Sequence, residues 1–337
     1  MSDLLQLGLM NLVSPMVLSF ALGFAAAVAR SDLDIPEAVG RALAIYLMFA
    51  IGFKGGAALA ANGAGGGVVA AMLAALLLSA ALPFLAYALL RALTRIGPVD
   101  AGAVAAHYGS ISIVTFVTGS QFVTGQGLGY EGYLVAMMAL METPAIVSGL
   151  FLARRALARQ DGTAAGPARK KGAFLSPELL REILLNASVV VLVGGFLIGW
   201  ATGERGMLMV KPFVADIFNG VLCLFLLDMG LVAARQLRSV KALSAPLLAF
   251  GLYMPLLGAA AGLGTAWLLG LSLGGATLLA VLAASASYIA VPAAMRLALP
   301  QANPAVYVTL SLVITFPFNV VVGIPLYFAA ARALGFV

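Results

Sequence analysis

The chain has 337 residues, of which 63% are hydrophobic and only 9% charged, with a mean hydropathy of +1.08; a soluble domain carries about 25% charged residues. No soluble fold could bury so much apolar surface, so the composition indicates an all-α polytopic membrane protein. A net charge of +6 would suggest nucleic acid in a soluble protein, but topology accounts for it here and no nucleic-acid partner is expected.

A membrane-crossing helix takes about 20 apolar residues. By that measure the chain reads as roughly ten spans, near 14–29, 36–53, 67–91, 100–122, 131–155, 179–201, 212–232, 243–269, 273–298 and 304–331. The first, Ser14–Ala29, lacks a basic segment ahead of it and is followed by further apolar stretches, so it reads as a span and not as a cleaved signal peptide. Glycine-rich or polar turns separate the spans, as at Lys54–Gly56, Gly63–Gly67, Gly125–Gly129, Gly203–Gly206 and Gly270–Gly275. The single cysteine, Cys223, excludes an internal disulfide and a cysteine-based metal cluster. The longest polar piece carries Arg154, Arg155, Arg159, Arg169, Lys170, Lys171 and Arg181. Cytoplasmic loops are rich in Lys and Arg, which puts this loop inside an inner (plasma) membrane and both termini outside. Fifteen of the 19 Lys and Arg then fall on the inner side. The same basic run also suits a solvated linker.

The two halves match in pattern. IGFKGGAAL (51–59) parallels LLDMGLVAA (226–234), and Met141-Glu142-Thr143-Pro144 parallels Thr315-Phe316-Pro317. Five spans per half reverse the orientation of the second. The expected plan is two inverted five-helix repeats, 1–156 and 179–337, joined by a basic cytoplasmic loop, 157–178. Spans four and nine stand apart. One is interrupted by His107-Tyr108-Gly109-Ser110-Ile111-Ser112, the other by Ser285-Ala286-Ser287-Tyr288 ahead of Val291-Pro292. With no water to rescue freed backbone groups, a polar break is costly unless it lines a cavity. Paired breaks in matching positions point to a transporter's site.

Each break should begin a half-helix, near Ser112 and Tyr288, whose N-terminus carries unpaired N–H groups and about half a positive charge. Two such ends converging form an anion site. Its candidate residues are Gly109, Ser110, Ser112, Thr115, Ser285, Ser287 and Tyr288. Carbonyls near Tyr108, Gly109 and Ala286, at the ends of the preceding half-helices, suit Na+. The competing reading is that these small residues only let helices pack closely.

Intramembrane charges are expensive and usually functional or paired; here they are Lys54, His107, Glu142 and Asp228. Glu142, beside Thr143-Pro144 where proline frees a carbonyl, fits a Na+ ligand or a partner of Lys54. Thr315 and Asn319 are its neutral counterparts in the second half. Asp228 and Lys54 sit at equivalent repeat positions, near the membrane surface. His107 reads as a proton relay or a packing residue, and Tyr288 as a substrate ligand or a plug. An enzyme is not expected: Ser110 and Ser112 share a helical piece with His107, and no second acid or oxyanion motif is visible.

At the breaks and their flanks the chain resembles the sodium-dependent bicarbonate transporter family, known best from cyanobacteria. The matching pieces are SPMVLSFALGF (14–24), IPEAVGRALAIYLMFAIGFKGG (35–56), HYGSISIVTF (107–116), METPAIVSG (141–149), LLDMGLVA (226–233) and AASASYIAVPAAMRLALPQANPAVY (283–307). The resemblance implies a homotrimer, with a gate domain of spans one, two, six and seven. A core of spans three to five and eight to ten would hold crossed, broken helices four and nine. It also implies Na+ as coupling ion with no organic cofactor, and a small PII-like regulatory protein on the cytoplasmic face. By position it puts Gly109, Ser110, Ser112 and Thr115 on the family's first serine-rich break and Ser285, Ser287 and Tyr288 on the second. Glu142 falls on a family aspartate. The cyanobacterial form carries an aspartate where this chain has Tyr288. The expected function is Na+-coupled uptake of a small anion, bicarbonate first, by alternating access. The alternatives are a sodium symporter for another small carboxylate and a membrane receptor.

Overall fold

A computed structural model describes residues 12–62, 67–160, 185, 187–236 and 243–337. Most of the basic loop, 161–184, lies outside the described residues. Those described are helical, with no strand among them. The helices are α1 (Pro15–Val28), α2 (Glu37–Asn62), α3 (Gly67–Leu93), α4 (Pro98–Gly109), α5 (Ile113–Gly125), α6 (Leu134–Leu140), α7 (Glu142–Gln160), α8 (Ala187–Lys211), α9 (Phe218–Arg235), α10 (Ala245–Leu269), α11 (Leu273–Ala284), α12 (Ala290–Ala298) and α13 (Pro304–Ala333). Their starts follow local chemistry. Ser14, Ser272 and Asn303 accept from the amides of Val17, Gly275 and Ala305, and proline stands early in α1, α4, α10 and α13. Left-handed Gly270 (φ 65°, ψ 38°) ends α10.

Seven helical stretches among the described residues are long and apolar enough to cross a membrane. α1 and α11 are shorter apolar helices of 14 and 12 residues. One of the seven, Val190–Arg235, runs for 46 residues, about 69 Å if straight against a hydrocarbon core of about 30 Å. It is not straight: Gly203 takes φ 55° and ψ −141°, which side-chain-bearing residues avoid, and the chain kinks there.

Packing falls into two groups. α1 lies on α9 and α2 on α8, while α3, α4 and α7 pack together, as do α10, α11 and α13, with α3 meeting α10. Lipid tails offer no hydrophobic drive between helices, so close backbone approach does the work. A Cβ on Gly56 of α2 would collide with the Phe196 carbonyl of α8, and one on Gly199 of α8 with that of Phe53. Two carboxylates tie helix starts to loops. Asp100 at the start of α4 accepts from the Asn303 N–H (2.8 Å), and Glu131 in the α5–α6 connection accepts from the Ser272 N–H (2.7 Å). The most hydropathic part of Pro98–Gly125 and all of α11 are buried, so the interrupted helices lie at the centre.

Candidate functional site

The first break is three residues long. α4 ends at Gly109, Ser110 is extended, and Ser112 (φ −110°, ψ 110°) caps α5, its Oγ accepting from the Thr115 N–H at 3.2 Å. In the second, α11 ends at Ala284 and α12 begins at Ala290 with Ile289 as its cap, so the half-helix expected at Tyr288 starts two residues later. The breaks bond to each other. The Ser112 N–H donates to Ser285 Oγ (2.9 Å), which in turn donates to the Leu282 carbonyl (2.8 Å), and the Ser287 N–H donates to the His107 carbonyl (2.9 Å).

Around this contact the polar atoms are buried and under-used. Ser110 Oγ, Thr115 Oγ1, Glu142 Oε2 and the Tyr288 hydroxyl have no hydrogen-bond partner among the described residues. Buried polar groups are normally satisfied, so these four unpartnered atoms close to the two breaks stand out. A cavity of about 10 Å³ is lined there by Ile111, Ser112, Glu142, Ser287, Tyr288 and Ile289, near the smallest space that holds one water. The fold thus brings Glu142 to the serine breaks.

The other expected Na+ ligands do not line that cavity. Tyr108 donates to Thr315 Oγ1 (2.6 Å), which donates to the Gly251 carbonyl (2.7 Å). Asn319 donates from Nδ2 to the Ala284 carbonyl (2.9 Å) and accepts from the Tyr327 hydroxyl (2.7 Å), capping the open end of α11. Thr143 is half-buried beside Glu142, and Ala286 is buried within the second break. Gly109 permits a close contact: a Cβ there would run into the Pro83 ring and stand 3.0 Å from Ala145 Cβ.

Two residues outside the expected set matter. The Ser79 hydroxyl donates to the Met141 carbonyl, at a third interruption where α6 gives way to α7 beside Glu142. Pro144 was its sequence signal, since proline cannot bond four residues back. In the matching stretch of α13, wide π turns at Thr309–Thr315 and Asn319–Gly323 flank Pro317. The His107 carbonyl is the second. Its ring stacks on Tyr307 (centroids 4.5 Å apart), and Nδ1 donates to the Ala103 carbonyl (2.7 Å), while Nε2 is buried with no hydrogen-bond partner among the described residues. Lys54 Nζ lies 3.4 Å from the Phe218 ring centroid, a cation–π contact, with no ion pair to Glu142 among the described residues.

Long apolar helices around two buried, polar interruptions indicate a multi-pass membrane protein. Residues 15–332 match the Na+-dependent bicarbonate transporter superfamily, and the chain belongs to that family. Comparison with curated proteins returns no match.

Proposed function

We propose that the chain is a secondary active transporter coupling a Na+ gradient to uptake of a small anion, bicarbonate first. The observation that carries this is the direct bond between the two breaks, Ser112 N–H to Ser285 Oγ, ringed by unpartnered polar atoms. Ser112 occupies the Thr115 amide and leaves the Ile113 and Val114 amides without acceptors in their own helix. Those amides, with the positive end of α5, hold the anion's oxygens. The hydroxyls of Ser110, Ser287 and Tyr288 add donors. Tyr288, neutral where relatives carry an acid, attracts an anion instead of repelling it. The carboxylate of Glu142 draws Na+ to a place next to the anion, where the cation offsets part of the negative charge held in the low-dielectric centre.

The architecture in this reading is two inverted repeats, 1–156 and 179–337, about a cytoplasmic loop at 157–178. Reciprocal packing supports it: α1 lies on α9 as α8 lies on α2, the exchange a two-fold axis produces. The Asp100–Asn303 and Glu131–Ser272 ties join equivalent elements in the same way. The gate is α1, α2, α8 and α9, and the remaining helices form a core that slides past it. A homotrimer in the inner membrane, both termini outside, with a PII-like regulator on the basic face, completes the reading.

The test is uptake of radiolabelled bicarbonate into proteoliposomes with and without an inward Na+ gradient. Uptake should require the gradient; equal uptake without it ends the coupling claim. Gradient-driven uptake of another small carboxylate in place of bicarbonate would select the symporter alternative, which Tyr288 favours by removing the family's acid from the second break.

A further inference from the structure

A larger cavity, with apolar walls and several charged side chains, opens where the α1–α2 connection meets α9. It measures about 440 Å³, and its lining includes Asp34, Gly40, Arg41, Asp228, Arg235 and Ile289. Ile289 also lines the small cavity at the breaks, so one side chain borders both spaces. The charges here are unevenly matched. Arg235 donates to Asp34 (2.8 Å) and Arg41 to Glu37 (2.6 Å), so each arginine is paired with a carboxylate other than Asp228. Asp228 is only 8% exposed and lines the cavity. It makes no hydrogen bond or ion pair among the described residues, and the nearby charge of Arg235 is shared with Asp34. Gly40 leaves room for it, since a Cβ there would fall on the Asp228 carboxylate. An unpaired carboxylate on a membrane helix is costly unless water or a cation meets it. The apolar walls, Phe225, Val232 and Ile289 among them, concentrate its field.

We propose that Asp228 is a second cation site, a staging point for Na+ between this cavity and the helix crossing, with Ile289 as the barrier separating them. One unmatched carboxylate in a water-accessible space suits a monovalent cation; Ca2+ would call for several carboxylate and carbonyl ligands. The staging role rests on the transport reading above. The cation site itself rests on Asp228 and its surroundings.

The test is binding of radioactive Na+ to the purified full-length protein in detergent, without bicarbonate, for the wild type, Asp228→Asn, Asp228→Glu, Glu142→Gln and the Glu142→Gln/Asp228→Asn double variant. Thermal unfolding checks that each is folded. Removing the Asp228 charge on the Glu142→Gln background should weaken Na+ binding about tenfold, or about 1.4 kcal/mol, and Asp228→Glu, which keeps the charge, should bind Na+ more tightly than Asp228→Asn. Na+ binding indifferent to Asp228→Asn on both backgrounds overturns the site. If wild-type bicarbonate uptake ignores Na+ while Asp228→Asn still weakens Na+ binding, the transport reading fails and the cation site stands.

Discussion

Ser112 combines two roles that substitution can separate: it caps α5 through Thr115, and it lines the cavity at the two breaks. Ser112→Ala should cost about 1 kcal/mol of stability as a lost cap and raise half-saturating bicarbonate several-fold, read from thermal unfolding and uptake curves. Ser112→Thr keeps a capping hydroxyl and should recover the stability. Wild-type bicarbonate affinity in Ser112→Ala would place the anion elsewhere. Glu142→Gln keeps shape and removes charge, so half-saturating Na+ for uptake should rise about tenfold in a protein that remains folded. Tyr108→Phe distinguishes a ligand from a link. It deletes the bond to Thr315, worth about 1 kcal/mol, while Thr315 still reaches Gly251. Na+ dependence should therefore be unchanged; a clear loss would add the hydroxyl to the cation ligands, beside the backbone carbonyl that this variant leaves in place. The serine-rich breaks were legible because Ser and Gly interrupt a long apolar run. The occupation of Asn319 by Ala284 and Tyr327 was not, because both partners come from elsewhere in the packed core.

Among the elements, α2 and α8 show packing overriding propensity. Glycine inside a helix costs up to about 1 kcal/mol relative to alanine, yet Gly56 sits where any side chain would strike the α8 backbone, whereas Gly194 on α8 faces open space. Gly56→Leu should force α2 and α8 apart and lower the melting temperature and monodisperse yield in detergent. Gly194→Ala should leave both unchanged or slightly improved. Similar loss from both variants would overturn the distinction between the packed glycine on α2 and the open one on α8. The late start of α12 has a local cause and a tertiary one. Pro292 has no N–H for the Tyr288 carbonyl and is tolerated in the first turn of a helix that begins at Ala290, while the Ser287 amide donates to the His107 carbonyl on the other broken helix.

At the scale of the whole molecule, the two groups of helices meet tightly at one end. A Cβ on Gly132, in the α5–α6 connection, would stand 2.8 Å from that of Ala58 on α2, slightly closer than the roughly 3.5–4.5 Å of a disulfide. Ala58→Cys with Gly132→Cys, on a Cys223→Ser background, should cross-link under oxidation with a small shift. If the core slides past the gate, the cross-link stops uptake and reductant restores it; full uptake by the cross-linked protein would rule out that motion. The sequence alone determined that the protein is a helical membrane protein and where its two serine-rich interruptions fall, whereas Lys54–Gly56 and Gly203–Gly206, expected as turns between spans, lie within α2 and α8. Those features depend on local hydropathy and on backbone bonds made within one segment, and glycine and proline mark the exceptions. Only the tertiary structure decided which polar groups share a space. It joined Glu142 to Ser112, Ser287 and Tyr288, and set Thr315 and Asn319 to bonds of their own. Each residue along a helix turns the side chain by about 100°, so such partnerships depend on how distant helices rotate and cross, which no single segment encodes.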